Sequence, residues 1–267
     1  MKRDMKKRLA RGDKLFGSFA FLPSPDVVEI MGFAGFDYVI IDLEHSPKNW
    51  ETVANMVRAA ELHDMAALIR VAENSEKSIL AALEIGAAGI VMPFVETADD
   101  VKKMAGAAYY GPLGARGTCT LTRAARYGGL RAQYIEHTQR LNKDVVVIAQ
   151  IESPAGVRNI DSIVAYKPGI DGVIVGRSDL ASALGHAGQT ENPAVIEATY
   201  GIIEACKRHG VPSGIGLYAP SEATKWIDAG CGLFFYSADT ALLLNAAKGA
   251  FDGFKAVLAP AQQQAAE

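Results

Sequence analysis

VVVIAQIESPAGVRNIDSIVAYKPGIDGVIVGRSD (145–179) holds two apolar β-runs, VVVIAQIE (145–152) and GVIVGRSD (172–179), around a stretch of helical period, PAGVRNIDSIVAY (154–166). Both runs are apolar almost throughout, the pattern of strands buried on both faces in a parallel sheet. Each stops on an acid, Glu152 and Asp179. The same rhythm extends outward. Upstream lie LFGSFAF (15–21), DYVIIDLEH (37–45), AALIRV (66–71) and GIVMPFV (89–95); downstream lie PSGIGLY (212–218) and LFFYSAD (233–239). Helical stretches at 49–64, 75–87, 98–110, 193–210 and 221–230 separate them. Ser75, Thr97, Ser153 and Ser221 are suited to N-caps, and Gly86, Gly210 and Gly230 to C-termini. Pro93 weakens the fourth strand unless that strand ends beside it.

Eight strands alternating with helices over 267 residues predict a (β/α)₈ barrel, a TIM barrel of α/β class, as a single domain spanning 1–267. A doubly wound open sheet is the rival. It would usually carry a glycine-rich phosphate loop after its first strand, and LFGSFAFLPSPD has neither GxGxxG nor a Walker A pattern. The polar tail APAQQQAAE (259–267) is expected to fray.

Charge excludes several classes. At a formal net charge of −3 the chain lacks the basic excess of a nucleic-acid or anionic-membrane surface. No apolar run reaches the roughly 20 residues that span a bilayer. The opening MKRDMKKRLARGDK has no apolar segment after it, so it reads as a solvated first helix and not as a secretory signal. Three scattered cysteines, Cys119, Cys206 and Cys231, fit reduced thiols of a cytoplasmic protein better than a disulfide framework or a zinc site.

Parallel strands bring their carboxyl ends to one face, so chemically capable residues at those ends can meet. Glu152 and Asp179 suit a hard divalent ion such as Mg²⁺ or Mn²⁺, with positions left for a bidentate 2-oxo acid; the alternative is a pair of helix-start carboxylates. His45, at the exit of the second run, can move a proton near neutral pH or serve structurally. Arg70 ends the run AALIR, where its charge needs an anion: an enolate or carboxylate, or a neighbouring acid such as Asp42 or Glu44. No strand run carries a lysine inside it or at its carboxyl end, which argues against a Schiff-base aldolase. No GxSxG, HxH or HExxH pattern occurs. The long stretch 111–142, with Arg116, Arg123 and Arg126, reads either as a basic lid over an anionic substrate or as a subunit contact.

With those residues in place, the chain resembles the metal-dependent (class II) pyruvate aldolases, the 4-hydroxy-2-oxoheptanedioate and 2-dehydro-3-deoxyglucarate aldolase family. The likeness runs through GFDYVIIDLEHSP (35–47), IR (69–70), GARGT (114–118), QIES (150–153) and GIDGVIVGRSDLASALG (169–185). It implies a (β/α)₈ barrel, usually a hexamer (a trimer of dimers) that exchanges its last helix, here TALLLNAAKGAFDGFKAVLA (240–259). It implies Glu152 and Asp179 as ligands of Mg²⁺ or Mn²⁺, with Co²⁺ a third option and no organic cofactor. Gln150, Ser178 and the backbone at Asp179 would hold pyruvate, His45 would be the acid/base, and Arg70 would stabilise the enolate. Glu84 takes the place of an acid that raises the basicity of the histidine. Its position near the end of the third helix puts it on the face opposite His45, so that pairing needs a neighbouring chain. Arg177 stands where a proline is common, which leaves the aldehyde preference open.

The implied reaction is reversible cleavage of a 4-hydroxy-2-oxo acid to pyruvate and an aldehyde, with small molecules as partners and neither nucleic acid nor membrane. The aldehyde pocket is expected from the 111–130 loop, Leu217 and residues of another subunit. A coenzyme A ester lyase on the same barrel is one rival. A catalytically silent binding barrel is the other.

Overall fold

The eight apolar runs become the eight strands of one closed parallel barrel. The computed structural model describes residues 4–264, with side chains as far as Leu258. In chain order the elements are α1 (Met5–Ala10), β1 (Leu15–Ala20), α2 (Pro25–Phe33), β2 (Tyr38–Asp42), α3 (Trp50–Leu62), β3 (Ala66–Arg70), α4 (Glu76–Glu84), β4 (Gly89–Met92) and α5 (Ala98–Ala108). They continue with α6 (Tyr134–Asp144), β5 (Val146–Ile151), α7 (Pro154–Arg158), α8 (Ile160–Ala165), β6 (Gly172–Val175), α9 (Arg177–Ala183), α10 (Pro193–Arg208), β7 (Ser213–Leu217), α11 (Ala223–Ala229), β8 (Leu233–Ala238) and α12 (Asp239–Gln264). Strands pair in sequential order from β1 to β8, and β8 closes on β1. The barrel excludes the open sheet.

Side-chain parity divides the core in two. Along β2, β3 and β5, Tyr38 and Ile40, Ala66 and Leu68, and Val146 and Ile148 fill the barrel. Their alternates Val39, Ile41, Ala67, Ile69, Val147 and Ala149 pack against the helices. Two inward glycines are required by their neighbours. A methyl group at Gly17 would fall 2.5 Å from the Tyr38 ring, and one at Gly89 would fall 2.1 Å from the Val146 carbonyl oxygen. Tyr38 reaches past β1 to donate to the Phe234 carbonyl of β8 (2.8 Å).

Ser75, Thr97 and Ser153 cap α4, α5 and α7 as expected, Thr97 in a capping box with Asp100. Ser221 does not; it lies in the 3₁₀ turn Pro220–Glu222 that precedes α11. The helix expected over 154–166 breaks at Asn159 into α7 and α8. Pro93 lies just past β4. The expected solvated opening is only partly so. Met5 and Leu9 of α1 are buried in the barrel-filling cluster, while Lys6 pairs with Asp171 (3.0 Å), so α1 seals the amino end. Within the tail 259–267, α12 stays helical to Gln264, and 265–267 lie outside the described residues. Among the described residues no helix is long and apolar enough to cross a membrane.

Candidate active site

The parity that fills the barrel also fixes which residue tops each strand on the inside. Asp42 and Arg70 are register partners across β2 and β3, and both are buried. Arg70 Nε donates to Asp42 Oδ1 (2.6 Å), Arg70 Nη1 lies 3.1 Å from Glu44 Oε2, and the guanidinium sits 4.7 Å over the Phe19 ring. Asp42 also shapes the turn that follows. Its carboxylate accepts from the amides of Glu44 (3.2 Å) and His45 (3.0 Å), and its carbonyl accepts from Ser46 Oγ and Lys48 Nζ (2.8 Å each). β2 therefore ends at Asp42, not at His45 as the apolar run suggested. His45 is carried to the rim, half exposed, with Nε2 3.7 Å from Glu44 Oε2. Burial lowers the Lys48 pKa and raises that of Glu44, the latter against the pull of Arg70.

β6 likewise stops early. It ends at Val175, Gly176 turns the chain, and Ser178 and Asp179 lie in the first turn of α9 instead of on the strand. A methyl group at Gly176 would fall 2.3 Å from Glu152 Oε2, so the glycine admits the carboxylate to the wall of the cleft. Glu152 is buried. Its Oε1 accepts from the Phe94 amide (2.9 Å) and its Oε2 from Gln150 Nε2. Burial pushes its pKa up to about 7, with Asp179 and Glu44 adding to the rise and the two hydrogen bonds opposing it.

A cleft of about 290 Å³ opens here. It is lined by His45, Arg70, Gln150, Arg177, Ser178 and Asp179, together with Phe19, Phe21, Tyr218 and Phe235. The acids fit a divalent cation. Glu152 is held partly protonated by burial and by like charge, the state that a cation relieves, and Gln150 Oε1 beside it has no hydrogen-bond partner. Among the described residues no three His, Cys, Asp or Glu side chains form a metal cluster.

The residues expected from sequence thus separate. His45, Arg70, Gln150, Ser178 and Asp179 line one cleft, and Glu152 stands at its wall. Glu84 does not join them. It ends α4 on the opposite face and pairs with Arg116 (Nη2–Oε1 3.1 Å). The 111–142 segment is no lid over this cleft. It links the end of α5 to the start of β5, both at the amino end of the barrel, where Arg123 pairs with Glu61 and donates to the Ile85 carbonyl (2.9 Å). Leu217 is not a pocket residue either. It is buried with Trp226 and Ile203 outside the barrel, while its alternates Gly216 and Tyr218 line the cleft. Arg177 is tied down rather than offered to the cleft. It pairs with Glu191 and Glu222 and donates to the Gly216 carbonyl (2.7 Å).

Sequence reasoning treated Asp42 and Glu44 only as partners for Arg70, and it missed Lys48, Phe19, Phe21, Tyr218 and Phe235. Phe19, Phe21 and Tyr218 share one signal, inward parity at or just past a strand's carboxyl end, whereas Phe235 has inward parity in the middle of β8. For Lys48 there is no such signal, because only the folded turn returns it to the Asp42 carbonyl.

Comparison with known proteins agrees with this arrangement. 5-Keto-4-deoxy-D-glucarate aldolase of Klebsiella pneumoniae subsp. pneumoniae is 33% identical over 250 residues, covering 94% of this chain and 96% of that one. The crystal structure of an HpcH/HpaI aldolase/citrate lyase family protein from Burkholderia cenocepacia J2315 superposes with a TM-score of 0.89 at 32% identity, covering 95% of this chain and 99% of the other. That of an HpcH/HpaI aldolase from Desulfitobacterium hafniense DCB-2 gives 0.85 at 31%, covering 96% of each chain. The family profile matches residues 15–243, from the first strand into the last helix, and the chain belongs to the HpcH/HpaI aldolase/citrate lyase family.

Proposed function

We propose that this chain is a carbon–carbon lyase that reversibly cleaves a 4-hydroxy-2-oxo acid to pyruvate and an aldehyde. The observation that carries the reading is the buried Glu152 against Gly176, at the wall of the cleft lined by Asp179, Arg70 and His45, where burial raises its pKa. Glu152 and Asp179 would hold a divalent ion, Mg²⁺ or Mn²⁺, with Co²⁺ a third option. When bound, that ion supplies Lewis-acid polarisation of the 2-oxo group. Gln150 and Ser178, with the backbone at Asp179, orient the pyruvate half.

His45 takes the proton of the C4 hydroxyl, the C3–C4 electron pair moves into the pyruvate enolate as the aldehyde leaves, and C3 is then reprotonated. Arg70 stabilises the enolate oxygen, and its orientation is set beforehand by Asp42 and Glu44. A His45–Glu84 pair would require the Glu84 of a neighbouring copy. Assembly of copies through α12 is supported by the large apolar side chains it exposes, Leu243, Leu244, Phe251, Phe254 and Val257; a hexamer is the expected form. Three free thiols fit a cytoplasmic site of action.

The test is exchange of the pyruvate C3 protons in deuterated water, together with cleavage of simple 4-hydroxy-2-oxo acids, with and without a chelator. Metal-dependent exchange and cleavage without coenzyme A are the expected result. Failure of both in the metal-supplemented protein refutes the reading.

A further inference from the structure

Arg177 takes no part in the reaction above, yet its guanidinium is buried at the rim of the cleft. Its side chain, 2% exposed, pairs with Glu191 and Glu222 and donates to the Gly216 carbonyl (2.7 Å). The same guanidinium lies 4.9 Å from the Tyr218 ring and 5.4 Å from that of Trp226. It therefore ties the first turn of α9 to the segment after β7 and to the connection between α9 and α10, which carries Glu191. Glu222 adds to the tie, since its Oε2 also accepts from the Tyr218 amide (3.5 Å).

The tie fixes where Tyr218 points. Its ring lines the cleft together with Gly216, Ser178 and Asp179, and its hydroxyl stands 3.4 Å from Ser178 Oγ. An O–H···O bond is normally about 2.7–2.8 Å, so this contact leaves both hydroxyls short of a good bond. Neither has another hydrogen-bond partner among the described residues. Two hydroxyls so spaced can both donate to one anionic oxygen, or each to one oxygen of a carboxylate. Donation to a charged oxygen is stronger than donation to a neutral carbonyl, which favours a carboxylate as the group received. In the reading above Ser178 orients the pyruvate half, and Tyr218 is the side chain that shares its reach.

We propose that Tyr218 is a further substrate-binding residue, its hydroxyl joining Ser178 on the pyruvate carboxylate, and that Arg177 is the positioning residue that holds it there. This rests on the aldolase reading and adds a group to its pyruvate side.

The test follows pyruvate C3 proton exchange against pyruvate concentration in the metal-supplemented full-length protein. It compares the native chain with Tyr218→Phe, with Arg177→Lys and with the double variant; the KM for acetaldehyde in pyruvate addition is read beside it. Tyr218→Phe removes one exposed hydroxyl and keeps the ring, so the fold is retained. It should raise the KM for pyruvate about tenfold, the loss expected for one hydrogen bond to a charged group. The kcat for exchange and the acetaldehyde KM should change by less than about twofold. Arg177→Lys should also raise the pyruvate KM severalfold but add nothing on the Tyr218→Phe background, because it acts through that hydroxyl. Glu222→Gln loosens the same tie from a partly exposed position and should behave likewise. An unchanged pyruvate KM in Tyr218→Phe overturns the inference and leaves the aldolase reading standing, as does a rise confined to acetaldehyde. Arg177→Lys and Glu222→Gln effects that add to that of Tyr218→Phe overturn the positioning role. Absence of exchange in the native protein overturns the aldolase reading and this inference with it.

Discussion

Replacing Glu152 by Gln should stabilise the metal-free protein at alkaline pH while abolishing its response to metal. Burial raises this carboxyl from 4.5 to about 7, a shift equivalent to about 3 kcal/mol. Because the folded-state value lies above that of the unfolded chain, the folded protein keeps the proton longer. Stability from this group is complete below about pH 4.5 and is lost as pH rises through about 7. A glutamine escapes that loss. Its Oε1 can still accept from the Phe94 amide (2.9 Å in the native chain), and a flip of Gln150 turns its unpartnered Oε1 toward the new amide. With chelator present, Glu152→Gln should therefore melt above the native protein at pH 8 by roughly 6–12 °C for a chain of this size. At pH 5 the gap should shrink to below about 1 kcal/mol. Mg²⁺ or Mn²⁺ at a hundredfold excess over Kd should add about 2.7 kcal/mol to the native protein and nothing to the variant. Scanning fluorimetry at both pH values, with chelator and with metal, reads all four conditions. A variant less stable than native at pH 8, or one that metal stabilises as much as native, refutes the reasoning.

Three further substitutions probe the rest of the cleft. Arg70→Ala should lower kcat for cleavage by about 10²–10³ and slow pyruvate proton exchange in parallel, measured by steady-state kinetics and NMR; unchanged exchange would remove Arg70 from the enolate. Asp42→Ala leaves the buried Arg70 short of its closest partner and frees the amides of Glu44 and His45, so urea unfolding should show a loss of about 3–5 kcal/mol. A loss under 1 kcal/mol would show the ion pair to be dispensable. Gly176→Ala forces a methyl group to within 2.3 Å of Glu152 Oε2, so the carboxylate must move. The expected outcome is a native circular dichroism spectrum with no metal-induced rise in melting temperature, and a normal rise would contradict the close approach.

The barrel and the placement of most candidate site residues at one end of it were legible in the chain because both depend on local rules. Apolar runs at 145–152 and 172–179 state that strands are buried on both faces, and a parallel barrel then sends Glu152, Asp179, Arg70 and His45 to one end whatever their spacing in sequence. What periodicity could not supply was the point where a strand stops. Asp42 ends β2 by capping two amides with its own side chain, and Gly176 ends β6 beside Glu152; both are contacts between groups that the apolar pattern does not encode. Parity explains the exchange of Leu217 for Gly216 and Tyr218, since one residue of offset along a strand moves a side chain from the cleft to the helices. The arginines show the division most plainly. Sequence supplied Arg70, Arg116, Arg123 and Arg177 as cations in search of anions. For Arg70 the sequence already offered Asp42 or Glu44; only the tertiary structure paired Arg116 with Glu84, Arg123 with Glu61, and Arg177 with Glu191 and Glu222, because the partners lie up to 62 residues away and Coulomb attraction acts through space, not along the chain.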